Sequence, residues 1–256
     1  MPAEKLRVYS IELHVVGHCN VACVGCSQSS PNVAPRFEGL RRIERSLANL
    51  RGVISCEKLQ VLGGEPLLHP DIVDLCRIAK ASNVGGRVTI KTNGILLPDA
   101  APEFWASVDE VIVSVYPATA KWLTRFRPVV EKAAAEAGTL LEFREISAFN
   151  HLIKRAPTSS ERFAQMVFER CTYRTFCHSL CEGRLYRCAP SVNLERSGLQ
   201  TASEADSVEV CSGDDCSGAV IGMLTSNVHL DACRWCLGSS GSEFPHALGR
   251  IGSIEN

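Results

Sequence analysis

The strongest chemical signal in the chain is HCNVACVGC at residues 18–26, where Cys19, Cys23 and Cys26 are spaced by three residues and then by two. A structural zinc site closes its shell with four protein ligands, and a 4Fe-4S cluster has four corners normally taken by thiolates. Three thiols in one tight loop leave one position open, which is how a metal site keeps room for a substrate or cosubstrate. His18 offers an alternative fourth ligand for zinc, which readily mixes Cys and His. A second signal is GGEP at 63–66. Glycines allow close backbone approach, and the Glu65 carboxylate can accept hydrogen bonds from an ammonium. Taken alone, the same tetrapeptide also suits an ordinary tight turn.

Composition narrows the choice of metal chemistry over disulfides. There are 13 cysteines in 256 residues, an odd number that cannot pair completely. The opening MPAEKLRVYSIELHVVGHCN has no long apolar run and no small-residue cleavage site, and no stretch of the chain is long and apolar enough to span a bilayer. A cytoplasmic location is therefore expected, and in that reducing compartment metal or cluster ligation is the better use of so many thiols. With 27 basic and 28 acidic residues, the net charge of -1 gives no electrostatic case for nucleic acid or an anionic membrane as partner.

Periodicity outlines the elements that must hold these residues. Strands are expected at VYSIELHVV (8–16), EKLQVLGG (57–64), GRVTIKTNG (86–94), DEVIVSVYP (109–117) and TLLEFREI (139–146). Helices are expected at EGLRRIERSLANLR (38–51), HPDIVDLCRIAKAS (69–82), near DAAPEFWASV (99–108), and from Ala120 to Gly138. Alternating strands and helices imply an α/β fold with a parallel sheet, whose functional rim lies at the C-terminal ends of its strands. The cysteine loop, LGGEP, KTNG and SVYP all fall at that rim. After residue 150 the rhythm changes: SSERFAQMVFER (159–170) reads as a helix, GRLYRCAPSVNLERSG (183–198) as a β-hairpin, and the polar stretch 200–218 as a loop. The chain thus divides into residues 1–160 and a cysteine-rich module at 161–256.

Cys-x3-Cys-x2-Cys after the first strand, followed by GGEP at the end of the second, resembles the radical S-adenosylmethionine (SAM) superfamily. The resemblance implies a partial TIM-like (β/α) barrel of five to six parallel strands and a 4Fe-4S cluster on Cys19, Cys23 and Cys26. It implies that the open iron chelates SAM, with Gly63, Gly64 and Glu65 against the SAM amino group and Thr92, Asn93 and Ser114 near its ribose or carboxylate. Superfamily loops usually place an aromatic residue just before the third cysteine, near the adenine; this chain has Gly25.

Eight cysteines lie beyond residue 170. Cys171, Gly183 and Cys188, with CRWC at 233–236, resemble the SPASM and shorter twitch modules, in which two such cysteines flank a β-hairpin. That resemblance implies an auxiliary 4Fe-4S cluster on Cys171, Cys188, Cys233 and Cys236, for a total of two clusters. A four-thiolate zinc site suits the same residues. Cys177, Cys181, Cys211 and Cys216 are left over, free to bind a second metal, to exchange with the assigned ligands or to have no ligand role. Cys56 and Cys76 read as small buried apolar residues, and His14, His69 and His178 as structural.

In size and layout the chain resembles the twitch-type dehydrogenases of the aminocyclitol 2-deoxy-scyllo-inosamine. The implied function is an oxidoreductase that generates a 5′-deoxyadenosyl radical and dehydrogenates a secondary alcohol of a small polar sugar or aminocyclitol, the auxiliary cluster accepting an electron. An external one-electron donor such as flavodoxin or ferredoxin is implied as partner. A base is needed near the substrate hydroxyl, and Arg144, His151, Lys154 and Arg155 fall in the right segment; Arg144, Lys154 and Arg155 are the candidates taken forward. The alternatives are a peptide-modifying enzyme, forming an epimer or a thioether, and a carbohydrate epimerase. A first strand beginning near Val8 favours a small substrate, because peptide modifiers often carry a preceding peptide-binding domain.

Overall fold

The computed structural model describes residues 4–30, 33–200 and 203–249. Residues 1–3 of the opening segment and 201–202 of the polar stretch lie outside the described residues. Five strands follow one another with helices between them: β1 (Leu6–Val16), α1 (Leu40–Leu50), β2 (Ile54–Gly63), α2 (Ile72–Ala81), β3 (Gly85–Thr92), α3 (Pro102–Ser107), β4 (Glu110–Val115), α4 (Ala120–Ala137) and β5 (Leu140–Glu145). All four pairings among them are parallel, in sequential order across the sheet. Each helix supplies the return path that a parallel neighbour needs. α4 ends at Gly138, whose φ of +71° forms the left-handed cap.

The alternation within each strand divides the sheet into two unlike faces. Ile11, Leu13, Leu59, Val61, Val88, Ile90, Val111 and Val113 pack into one core with Ile43 and Leu47 of α1, Leu75 of α2, Phe104 of α3 and Leu123 of α4. The opposite face is polar: across the register run Glu12, Gln60, Thr89 and Glu110, and the neighbouring positions include His14, Lys91 and Ser114. Burying charged groups is costly unless they are paired or used. This face is paired in part, by Lys58 with Glu110 (2.7 Å) and Lys91 with Glu12 (3.4 Å).

The later elements are β6 (Ala148–Asn150), α5 (Glu161–Arg170), α6 (Tyr173–Phe176), β7 (His178–Cys181), β8 (Arg184–Tyr186), α7 (Ala189–Arg196), β9 (Ser207–Glu209), α8 (Ser217–Thr225) and β10 (Glu243–Pro245). The hairpin expected over 183–198 lies earlier, as β7 and β8 around Glu182 and Gly183. Both turn residues have positive φ (52° and 78°), the two-residue geometry that matches strand twist. The rest of the expected hairpin is α7, with Pro190 in its first turn. The polar stretch read as a loop contributes β9, whose pairing partner β8 is out of reach of any local pattern.

β7 pairs in parallel with β1, with Glu12 opposite Ser179. The sixth parallel strand therefore joins the sheet beside β1 and not beyond β5, and strands from both sides of residue 160 share one sheet of order β5-β4-β3-β2-β1-β7-β8-β9. The result is a mixed α/β fold around a largely parallel eight-stranded sheet, consistent with a partial barrel. Among the described residues no helix is long and apolar enough to cross a membrane.

Candidate metal and cofactor site

Between β1 and α1 the chain from Gly17 to Gly39 folds back on itself. Gly17 N donates to Arg36 O (2.9 Å) and Glu38 N to Val15 O (2.9 Å). His18 helps close this loop: its Nδ1 accepts from Arg36 N (3.4 Å) and its ring meets Phe37 edge-on at 5.1 Å. Its role is thus in loop closure, which weakens its case as a zinc ligand. The GGEP segment holds the other side, as Gly64 N donates to Val16 O (2.8 Å) and Glu65 N to His18 O (3.0 Å). A side-chain carbon at Gly64 would overlap the His18 carbonyl oxygen and stand 3.0 Å from Cys19 N. At Gly63, φ +153°, it would overlap Val16 O and lie 2.8 Å from Val16 N. Gly63 is therefore required by the end of β1, and Gly64 by the start of the cysteine loop.

Glu65 is fully buried. Its Oε1 accepts from Thr92 Oγ1 (2.7 Å) and Leu67 N (3.0 Å), and its Oε2 from Asn93 N (2.8 Å). Asn93 also ties the carboxylate to the loop, its Nδ2 donating to Asn20 Oδ1 (2.7 Å) and reaching Cys19 Sγ at 3.6 Å. The structure thus brings Glu65, Thr92, Asn93 and Cys19 into one network. Ser114 lies farther along the rim, on β4 opposite Arg144 of β5.

Burial pushes the Glu65 carboxyl up to about 7, against the hydrogen bonds that pull it down. A raised carboxyl favours its neutral form: its contribution to stability is full below the unfolded value of 4.5 and is lost as pH rises through about 7. A cation beside Glu65 reverses that cost. On the resemblance that sets the SAM amino group against Glu65, SAM affinity is expected to rise with pH by at most about tenfold per unit up to about pH 7 and then level off. Titrating SAM into the cluster-loaded protein at several pH values checks this, and Glu65→Gln should flatten the profile.

A further wall of the loop was invisible in the sequence. The segment that continues β10 lies against residues 22–25: Val24 N donates to Ala247 O (2.9 Å) and Gly249 N to Ala22 O (2.8 Å). Gly25 has φ +63°, and a side chain there would run into the Phe244 ring, with Cε2 at 3.1 Å and Cζ closer still. The missing loop aromatic is thus matched by an aromatic ring from elsewhere in the chain. Next to it His246 Nε2 lies 3.2 Å from Cys23 Sγ, and the His246 ring stacks on Tyr116 at 4.6 Å and 15°. Only the glycine in place of an aromatic hinted at this arrangement. Gly25→Ala is expected to cost about 1–2 kcal/mol from the left-handed backbone alone, plus the collision with the ring. Adding Phe244→Ala should recover the collision but not the backbone cost, as read by thermal unfolding.

The second cysteine group separates into four and four. Burial raises the Cys188, Cys233 and Cys236 thiols, and neighbouring sulfurs add to it: Cys236 and Cys233 act on Cys188, Cys236 and Cys171 on Cys233, and Cys171 on Cys236, so the four stand together. Gly238, φ +58°, fits between them, its N donating to Cys236 Sγ (3.2 Å) and its position leaving 3.1 Å to Cys171 Sγ. Cys171 and Cys188 flank the β7–β8 hairpin. The leftover thiols disperse: Cys181 faces Arg196 Nη2 (3.2 Å), Cys211 donates to Glu209 (2.8 Å), and Cys216 caps α8. Cys177 remains near Cys171 and Glu12. Cys56 and Cys76 are core residues, each pushed by burial up to about 12.

Burial raises the Cys19 thiol to about 11 and the Cys23 thiol to about 12. Soft metal ions displace such protons on binding. Among the described residues no three metal-binding side chains are held at coordinating distances, so loading would draw the thiols inward. The donor set fits iron–sulfur ligation: three thiols on one loop that has an open side, and four thiols from three segments, two of which, Cys188 and Cys233, pack with Phe168 and Leu194.

The base candidates do not converge. Arg144 is on the polar face but on the open edge strand, paired with Glu142 at 2.8 Å. Lys154 lies over the Phe163 ring (4.8 Å), and Arg155 and His151 are exposed. A guanidinium also has no free lone pair with which to take a proton. His69 and His178 are structural as expected, bonded to Glu38 O (2.9 Å) and Arg187 O (2.8 Å). His14 is the exception: it is buried on the polar sheet face with both ring nitrogens unpartnered, 3.9 Å from Glu12. Burial, and then the charges of Arg196, Arg36 and Lys91, hold its pKa well below the usual imidazole range. A separate cleft of about 640 Å³ beside β9 and α8 is lined by Arg184, Cys216 and His229 and by none of these site residues.

Comparison with known proteins bears on the family and the fold. The radical SAM superfamily model matches residues 13–127. A probable GTP 3′,8-cyclase of Methanothermobacter marburgensis is 31% identical over 171 residues, 63% of this chain and 53% of that protein. A GTP 3′,8-cyclase of Chlorobaculum tepidum is 36% identical over 87 residues, 34% of this chain and 26% of that protein. The chain spans about half or less of the length of these curated relatives. Among solved structures, BtrN in complex with AdoMet and 2-DOIA has a TM-score of 0.56 at 13% identity, covering 91% of this chain and 94% of that one. The protein anSMEcpe with bound AdoMet has a TM-score of 0.52 at 12% identity, covering 83% and 80%. At such identities the likeness is one of fold.

Proposed function

We propose that the chain is a radical SAM enzyme, on its match to that superfamily over residues 13–127, and that it dehydrogenates a secondary alcohol of a small polar substrate, a sugar or an aminocyclitol. Cys19, Cys23 and Cys26 hold the SAM-binding 4Fe-4S cluster in this reading, with Glu65, Thr92 and Asn93 positioning SAM and Ser114 farther along the rim. Cys171, Cys188, Cys233 and Cys236 hold an auxiliary cluster. When bound, these groups would supply a 5′-deoxyadenosyl radical that takes a carbinol hydrogen and a sink for the remaining electron, the first electron coming from a donor such as flavodoxin or ferredoxin.

The observation that carries the reading is the second thiol group. Its four sulfurs come from three segments, and Arg187 lies close enough to act on Cys188 and Cys233. Arg187 is itself fixed, donating to Met223 O (2.5 Å) and Ser226 O (2.7 Å). A buried guanidinium beside four thiolates offsets the negative charge that ligation creates. On the polar face, Glu12 and His14 form the proton-accepting pair for the substrate hydroxyl in place of the exposed basic residues. The cations Arg36, Lys91 and Arg196 near His14 favour a second reading, an anionic substrate like the nucleotide in the names of the curated relatives.

Anaerobic turnover with SAM, a strong one-electron reductant and an aminocyclitol deuterated at its carbinol carbon tests the proposal. The expected result is one deuterium-bearing 5′-deoxyadenosine for each ketone. Unlabelled 5′-deoxyadenosine and no ketone from the aminocyclitol, with deuterium passing into 5′-deoxyadenosine from ribose-deuterated GTP in a parallel reaction, would support the nucleotide reading instead. Cys188→Ala is expected to keep SAM cleavage while losing ketone formation, a split measured by chromatography of both products.

A further inference from the structure

We propose that His246 is a positioning residue for the loop cluster: its Nε2–H donates a hydrogen bond to the Cys23 sulfur and thereby raises the cluster's reduction potential. The inference rests on Cys19, Cys23 and Cys26 binding a SAM-dependent cluster, and not on the identity of the substrate.

The placement of His246 is over-determined. Its backbone N donates to Ser147 O (2.9 Å), and the next residues pair with the cysteine loop through Val24 N to Ala247 O and Gly249 N to Ala22 O. Its ring lies flat on Tyr116 (4.6 Å) and edge-on to Phe149 (5.1 Å). Phe244, two residues earlier, occupies the space left by Gly25. Held on these sides, the imidazole presents Nε2 to Cys23 Sγ at 3.2 Å. Its Nδ1 is buried and meets no polar protein group. The tautomer with its proton on Nε2 therefore satisfies the one polar neighbour, and a thiolate can only accept.

The physical effect follows from charge. A hydrogen bond to a ligand sulfur draws electron density away from the metal and stabilises the reduced form, and protein control of cluster potentials works through such bonds. The same segment carries Cys236 and Cys233 ten and thirteen residues earlier, with Cys236 bridged to Ile153 and His151 N bonded to Ser242 O. One stretch of chain thus reaches both thiol groups. The sulfur bond would be lost if the segment peeled away from the loop.

The test is a redox titration followed by EPR of the reconstituted full chain, reading the signal that changes when SAM is added. His246→Ala is expected to shift that signal's midpoint to a more negative potential, and His246→Gln, which keeps an N–H donor, to recover part of the shift. An unchanged midpoint in His246→Ala with the SAM-responsive signal intact would overturn the hydrogen bond. If His246→Ala loses the cluster, His246→Gln decides: a loaded cluster at near wild-type potential supports the donor role, and loss of the cluster there too overturns it. A wild-type protein with no SAM-responsive signal would instead overturn the cluster assignment, which separates the two failures.

Discussion

Changing Cys19, Cys23 and Cys26 together to alanine is expected to abolish SAM cleavage and to lower the iron content of the anaerobically reconstituted protein from about eight to about four per chain. Acid-labile sulfide should fall in parallel. The remaining four irons would sit with Cys171, Cys188, Cys233 and Cys236. The complementary change of those four to alanine should leave about four irons and a SAM-responsive EPR signal. A fall from about four irons to none in the first variant would mean that the second group holds zinc or no metal. The electron-acceptor argument for dehydrogenation would then be lost. Cys19 and Cys26 are partly exposed, and Cys23, though buried, belongs to the loop and not to the main core cluster, so the substitutions should remove donors with the fold intact and the loss should be chemical.

Gly64→Ala is the second large effect. The added methyl would collide with the His18 carbonyl and approach the Cys19 amide, both backbone atoms that cannot rotate away. The loop must move or the β1–β2 register must yield. A cost on the order of 3 kcal/mol is expected, at the upper end for local backbone strain, together with poor cluster loading. Gly218→Ala is the control: it lies in α8 with open space around it. That change should add about 0.5–1 kcal/mol through the lower entropy of the unfolded chain and better helix propensity. Thermal unfolding of the two apo-proteins gives both signs, and iron analysis shows whether the loop in Gly64→Ala still accepts a cluster. Retained stability and loading in Gly64→Ala would show that the loop moves freely over GGEP.

What the sequence determined by itself is local. Apolar alternation and helical spacing placed β1 to β5 and α1 to α4 within a few residues, because each strand has one apolar face and each helix one apolar stripe to bury. The Cys-x3-Cys-x2-Cys and GGEP motifs were legible for the same reason: ligands on one loop must be close in sequence, and glycine is written where backbones meet. Even so, no spacing could reveal that Gly63 meets the end of β1 and Gly64 the start of the cysteine loop. Tertiary structure alone decided the rest. It set β7 beside β1, moved the hairpin upstream of Cys188, and drew Cys171, Cys188, Cys233 and Cys236 from distant segments into one pocket. It also brought Phe244 and His246 onto Gly25 and Cys23, and showed that His14 differs from His69 and His178 in having no partner. These are contacts between residues far apart along the chain, fixed by which sheet edge and which loop surface remain available once the first five strands have paired, and pattern within a short window carries no information about that choice.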